Sequence, residues 1–260
     1  MAPASVPADL RALLHQERPG LVGTFVSSPD PLLAESLAQA FDVLVLDLEH
    51  SAVGLRDAQL LTLAAQAAGA KALVRIPAAA TEALTALLDA GVDGVVVPSV
   101  DTPQQAQRIV ASLRYPPEGT RGYGPRRANR YGRDVAYHRE ERSRPACLLQ
   151  IETAAGVEHV EAIAEVAGVD GLLVGPADLS FSLGTPLDPF SPVMAAALAR
   201  IDAAAHAAGT PLALASNVGA ARLGELVSRC ALLLQGTDLR MYATAADTVA
   251  AGAREALAGL

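Results

Sequence analysis

The sequence predicts a (β/α)8 barrel, and three observations carry that prediction. Short Val- and Leu-rich runs recur eight times, alanine-rich segments of helical period separate them, and 260 residues is the size that eight such units need. Alternation of this kind argues for βα units around a parallel sheet.

In chain order the runs are LVGTFV from Leu21, VLVLDLEH from Val43, KALVRI from Lys71, GVVVP from Gly94, CLLQIE from Cys147, GLLVGP from Gly171, PLALAS from Pro211 and ALLLQG from Ala231. Between them lie LRDAQLLTLAAQAAGA, TEALTALLDAGV, TPQQAQRIVASLR, AAGVEHVEAIAEVAGV, SPVMAAALARIDAAAHAAG and GAARLGELVSRC. Each carries apolar residues at three-to-four spacing and most end near Gly, the pattern of an amphipathic helix stopped by a residue free to turn. A last helix is expected from about Thr244 to Leu260, apolar enough to dock on a neighbour or on its own barrel. No linker composition interrupts the series, so residues 1–260 are expected to form a single domain.

One connection breaks the spacing. About fifty residues separate GVVVP from CLLQIE, and they include YPPEGTRGYGPRRANRYGRD, rich in Arg, Gly, Pro and Tyr. A loop that long is expected to serve a ligand or an interface. Arg121, Arg126, Arg127, Arg130 and Arg133 point to anion capture or subunit contact rather than nucleic acid, because the chain is acidic overall, with 20 Lys+Arg against 28 Asp+Glu.

Composition excludes several classes. With 51% hydrophobic and 18% charged residues the chain is not disordered, and its net charge of −8 gives no global attraction for nucleic acid or an anionic membrane. The longest stretch without Asp, Glu, Lys or Arg, Ala203 to Ala221, contains His206, Ser216 and Asn217 and reads poorly as a membrane span. Only Cys147 and Cys230 occur, and the start lacks a basic segment followed by an apolar secretion core, which points to the reducing cytoplasm.

In a parallel barrel the reactive groups stand at the carboxyl ends of the strands. There the sequence places Asp47-Leu48-Glu49-His50 after strand two, Arg75 after strand three, Gln150-Ile151-Glu152 after strand five and Gly175-Pro176-Ala177-Asp178 after strand six. Glu152 and Asp178 are hard oxygen donors suited to Mg²⁺ or Mn²⁺, although each could equally cap a helix or pair with an arginine. Asp89 sits near the end of the helix after strand three, where a carboxylate opposes the helix dipole and needs a partner. His50 is a candidate partner, and a surface role for Asp89 is the plainer alternative. The Gly175–Asp178 turn offers free N–H groups to a carboxylate, or is simply a βα turn with Pro at a helix start.

The chain has one lysine, Lys71, at the beginning of strand three and so at the far end of the barrel. A Schiff-base mechanism is thereby excluded. No cysteine–histidine nucleophile motif or GxSxG occurs, and GYGP is too short for a dinucleotide loop.

With these residues assembled, the chain resembles the HpcH/HpaI aldolase family of metal-dependent pyruvate aldolases from about Leu21 onward. The carriers are FDVLVLDLEHS, KALVRIP, LLDAGVDGVVVPSVDT, RYPPEGTRGYGP, LLQIET and GVDGLLVGPADLS, in the family's order and spacing. The resemblance implies His50 with Asp89 as a base dyad, Arg75 on the pyruvate oxygens, Glu152 and Asp178 as metal ligands, and Asp47 and Gln150 in support. It implies that N–H groups around Gly175, Pro176, Ala177 and Asp178 hold the pyruvate carboxylate. It further implies a divalent cation, Mg²⁺ first with Mn²⁺ or Co²⁺ as alternatives, and a homohexamer with exchanged C-terminal helices.

The expected activity is reversible cleavage of a 4-hydroxy-2-oxo acid into pyruvate and an aldehyde. Breaking the C3–C4 bond leaves a pyruvate enolate, which needs positive charge at the 2-oxygen and a base for the 4-hydroxyl proton. The same site suits oxaloacetate decarboxylation. A lyase acting on a CoA ester would need a basic nucleotide-binding surface that is not evident. A non-catalytic 2-oxo-acid-binding barrel would be signalled by loss of His50, Arg75, Glu152 or Asp178, and all four are present. Ser51-Ala52-Val53-Gly54 and ALASNVGAA depart from the family pattern in loops that border the aldehyde side.

Overall fold

The computed structural model describes residues 9–16, 20–77, 83–140, 143–226 and 229–259. Eight parallel strands close into one barrel in chain order, β1 beside β2 and so on round to β8 beside β1. They are β1 (Leu21–Val26), β2 (Val43–Asp47), β3 (Lys71–Arg75), β4 (Gly94–Val97), β5 (Ala146–Ile151), β6 (Gly171–Val174), β7 (Leu212–Ser216) and β8 (Leu232–Thr237). Every apolar run singled out above is a strand.

Two buried layers follow from the two-residue period of a strand. Phe25, Val43, Val45, Leu73, Val96, Leu148, Leu173 and Leu234 fill the barrel interior. Their neighbours Leu44, Leu46, Val74, Val95, Leu149 and Leu172 face outward, into the shell shared with the helices. The interior parity runs on as Val43-Val45-Asp47, Leu73-Arg75 and Leu148-Gln150-Glu152, so the chemistry-bearing residues are aimed into the mouth by the same alternation that packs the core.

The outer layer comprises α2 (Pro31–Leu37), α3 (Leu55–Ala67), α4 (Leu84–Ala90), α5 (Pro103–Leu113), α6 (Ala154–Glu158), α7 (Val160–Ala164), α8 (Pro176–Ser182), α9 (Pro192–Ala208) and α10 (Asp238–Ala258). Ahead of the barrel, α1 (Leu10–Leu14) is capped by Asp9 and inserts Leu10 and Leu14 into the interior cluster. It thus closes the barrel end opposite the mouth, a plug the helix periodicity did not reveal.

Three expectations change. AAGVEHVEAIAEVAGV divides into α6 and α7 at His159. GAARLGELVSRC forms a 3-10 helix over Ala220–Glu225 instead of an α-helix, with residues 227–228 outside the described set. Gly224 within so short a segment lowers α-helical propensity. The last helix begins at Asp238, six residues before the expected Thr244, because the Thr237 side chain accepts from the Arg240 N–H and caps it.

The arginine-rich connection is largely tied to the barrel. Arg127 donates from Nη1 to Ala90 O at 3.0 Å and from Nη2 to Gln66 Oε1 at 2.7 Å, so its cation covers the C-terminal end of α4. Arg121 is buried, donates to Ser143 O at 3.1 Å and lies over the Tyr115 ring at 4.5 Å. Packing claims these two of the five arginines, which removes them from the set expected to serve anion capture or subunit contact. Arg126, Arg130 and Arg133 remain exposed.

Candidate active site

At the carboxyl end of β2 and β3, Arg75 grips Asp47 with two parallel bonds, Nε to Oδ1 at 2.9 Å and Nη2 to Oδ2 at 2.7 Å. Both are buried, and Arg75 also lies 4.5 Å from the centre of the Phe25 ring. Burial alone would push the Asp47 carboxyl up. The Arg75 bonds and charge, with the N–H groups of His50 and Glu49, outweigh that and leave it below its ordinary value.

Glu49, which the sequence reading quoted without a role, stands in this cluster. Its Oε2 is 3.5 Å from Arg75 Nε and 3.8 Å from His50 Nε2. Burial, with the charges of Glu152 and Asp47, raises its carboxyl above the usual range despite Arg75. Its position between two assigned residues, in a tetrapeptide ending a strand, was the available signal. The His50 side chain is 63% exposed and so reaches solvent and cavity alike.

On the other side, Glu152 is buried at the end of β5. Its Oε1 accepts from the N–H and the hydroxyl of Ser99 at 2.8 and 2.9 Å, and its Oε2 accepts from Gln150 Nε2. Ser99 follows β4 with φ of 53°, a left-handed conformation uncommon for a residue with a side chain. Sequence reasoning missed Ser99 because its contribution depends on that backbone turn. Burial is the main reason the Glu152 carboxyl is raised, and the nearby Asp178 charge adds to it.

Asp178 lies in the first turn of α8, behind Pro176 at the helix start. Gly175 is there for space, since a Cβ would meet Gln150 Nε2 at 2.8 Å and Glu152 Oε2 at 2.9 Å. The Ala177 and Asp178 N–H groups have no carbonyl four residues back within the helix.

These groups border one cavity of about 560 Å³. His50, Arg75, Gln150, Gly175, Pro176, Ala177 and Asp178 line it, joined by Leu187 and Asn217 from later loops, Thr237 at the end of β8 and Arg240 in the first turn of α10. Asp47 and Glu152 stand behind it, holding Arg75 and Gln150.

The structure does not bring Asp89 to His50. Helix α4 runs back against β3, so its C-terminal end lies beside the strand beginnings, where Asp93 N–H donates to Ala72 O at 2.8 Å. Asp89 instead faces buried Arg121, 3.6 Å away, beneath Gly124. Burial raises its carboxyl, with Arg121 opposing. Within a single chain, therefore, the direction of the helix keeps Asp89 away from its expected partner His50. Lys71 also lies at that amino end, 3.4 Å from Asp93.

A closed parallel barrel whose mouth joins a locked arginine, a histidine and several carboxylates is the framework of a (β/α)8 enzyme. The sequence signature of the HpcH/HpaI aldolase/citrate lyase family matches residues 21–234, and the chain belongs to that family. It is an enzyme of the aldolase type, a carbon–carbon lyase. It is 37% identical over 195 residues to a 2-dehydro-3,6-dideoxy-6-sulfogluconate aldolase of Pseudomonas putida, covering 74% of this chain and 76% of that one. It is 40% identical over 195 residues to a 4-hydroxy-2-oxovalerate aldolase of Rhodococcus jostii, covering 72% and 75%. The crystal structure of an HpcH/HpaI aldolase/citrate lyase family protein from Burkholderia cenocepacia superposes with a TM-score of 0.89 at 32% identity, over 94% of this chain and 98% of that one. Among the described residues no helix is long and apolar enough to cross a membrane.

Proposed function

We propose that the chain is a divalent-metal-dependent aldolase that reversibly cleaves 4-hydroxy-2-oxo acids to pyruvate and an aldehyde. The observation that supports this most is the imbalance of charge at the mouth. Glu152 acts electrostatically on Glu49 and Asp178 on Glu152, while buried Arg75 gives its two hydrogen bonds to Asp47 and stands 3.5 Å from Glu49.

The donor set fits a hard cation. Glu152 and Asp178 offer carboxylate oxygens, and Gln150 Oε1 is buried without a hydrogen-bond partner. Glu152 and Asp178 would hold Mg²⁺, Mn²⁺ or Co²⁺. Such an ion supplies Lewis-acid stabilisation of negative charge developing on the 2-oxygen.

The chain's own groups account for the rest. The Arg75 bonds to Asp47 use Nε and Nη2, which leaves Nη1 to donate to the 2-oxo group. The first-turn N–H groups of Ala177 and Asp178 suit the substrate carboxylate. His50 accepts the proton of the 4-hydroxyl as the C3–C4 bond breaks, its electron pair enters the enolate and the aldehyde carbonyl forms. Return of a proton to C3 completes pyruvate. Glu49 stands beside His50, its Oε2 3.8 Å from His50 Nε2.

The test is pyruvate release from a panel of 4-hydroxy-2-oxo acids and oxaloacetate, with Mg²⁺, Mn²⁺ or Co²⁺ against EDTA. Metal-dependent release from a hydroxy-oxo acid is expected. Glu152→Ala should lose bound metal and turnover together, whereas His50→Ala should keep the metal and lose about 10²- to 10⁴-fold in kcat. Full metal content and activity in Glu152→Ala would sink the assignment.

A further inference from the structure

The named relatives differ in what the aldehyde half carries: one substrate name contains a sulfo group, and the other, an oxovalerate, has no acid beyond its 2-oxo acid end. Family membership therefore leaves the acceptor open, and the cavity's own wall has to decide it.

The residues assigned above come from β2, β3, β5 and β6. The quadrant of the barrel formed by β7, β8 and β1 takes no part in them, yet it lines the same cavity through Ser216, Asn217, Gly236, Thr237 and Arg240. Among the described residues no carboxylate lines that quadrant: Asp178 is the one acid among the described lining residues, and Asp238 is turned away to accept from Ser27 and Ser28 N–H at 3.0 and 2.8 Å.

Arg240 is the cation of this wall. Its backbone is fixed, the N–H donating to Thr237 Oγ1 at 3.2 Å and the carbonyl accepting from Thr244 Oγ1 at 2.9 Å. Its guanidinium has no ion-pair partner among the described residues, whereas Arg75 is held by Asp47 and His50 stands beside Glu49. It also sits in the first turn of α10, where the helix dipole disfavours a positive charge. Exposed at the rim of the cavity and unpaired among the described residues, this cation is available to an anion that arrives with the ligand.

Resting on the aldolase reading, we propose that Arg240 is a specificity-determining residue that binds an acidic group at the far end of the aldehyde. The substrate class is then a 4-hydroxy-2-oxo acid carrying a second acidic group: carboxylate, sulfonate or phosphate. The stem joining the two ends passes along the apolar side of the cavity at Leu187 and Val218.

The experiment runs the aldol addition of pyruvate to paired aldehydes with the metal-loaded enzyme. Succinic semialdehyde is paired with butanal, 3-sulfopropanal with propanal, and glycolaldehyde phosphate with glycolaldehyde. At least one acidic member should exceed its uncharged counterpart about tenfold in kcat/KM, and the pair that shows it identifies the acid. Arg240→Met should bring that ratio close to one through KM, Arg240→Lys should retain part of it, and added salt should erode it in the wild type. A wild type without preference, or a ratio unchanged in Arg240→Met, would overturn the proposal. Oxaloacetate decarboxylation, which needs no acceptor, separates the two levels. An enzyme active there but indifferent to acceptor charge refutes Arg240 alone, and one that forms pyruvate from no donor refutes the aldolase reading with it.

Discussion

Asp47 and Arg75 divide their labour, and a single substitution can separate them. Asp47 is a positioning residue, because its carboxylate spends itself on the guanidinium that faces the cavity. Removing one partner of a buried pair leaves the other charge uncompensated, so Asp47→Ala should cost roughly 3 kcal/mol of stability. The pH dependence has a definite sign. The folded carboxyl lies below its ordinary value of 3.8, so the charge contributes in full at neutral pH and its contribution is lost as pH falls through the lower folded value. In urea titrations the gap between wild type and Asp47→Asn should be wide at pH 7 and begin to close only below pH 3.8. A gap that closes well above pH 3.8 would count against the Asp47 charge as its source. At this scale the sequence made Asp47, Arg75, Gln150 and Glu152 legible, since strand parity alone aims them inward. Glu49 and Ser99 were not legible, because one acts through where a side chain swings and the other through a left-handed backbone turn.

Among the elements, α1 and α4 show what periodicity can and cannot reveal. Each strand announced itself through a continuous apolar run, which is how a strand covered on both faces must read. Helix α1 has only five residues, too few for a period to register, yet Leu10 and Leu14 are almost wholly buried in the barrel interior. Leu10→Ala should therefore lower stability by about 2 to 5 kcal/mol, measured as a shift in the denaturation midpoint, with little effect on KM because the mouth lies at the other end. A cost under about 0.5 kcal/mol would show that the plug contributes nothing. Helix α4 carries the opposite lesson. Its sequence identified Asp89 as a carboxylate in an awkward place, but only the direction of the chain shows that the awkwardness is met by Arg121 and not by His50.

Across the whole molecule, α10 is the part the barrel does not explain. Of its 21 residues only Asp238 is buried, and Leu239, Tyr242, Val249 and Leu257 are exposed. A helix of about 31 Å with so little contact to its own core fits a surface covered by another copy of the chain. The homo-oligomer expected from the resemblance predicts that Tyr242→Glu with Val249→Glu lowers the mass measured by light scattering. An unchanged mass, or a monomeric wild type, would count against α10 as the contact.

The placement of the one lysine has a practical reach. Lys71 begins β3 at the end of the barrel remote from the cavity, and its amine is half-buried against Asp93. An activated-ester resin or dye would find one lysine side chain per chain, slow to react and placed at the barrel's base, so that apart from a free α-amino group any attachment through nitrogen holds the barrel there. A barrel attached through Lys71 would turn its mouth toward the bulk solution.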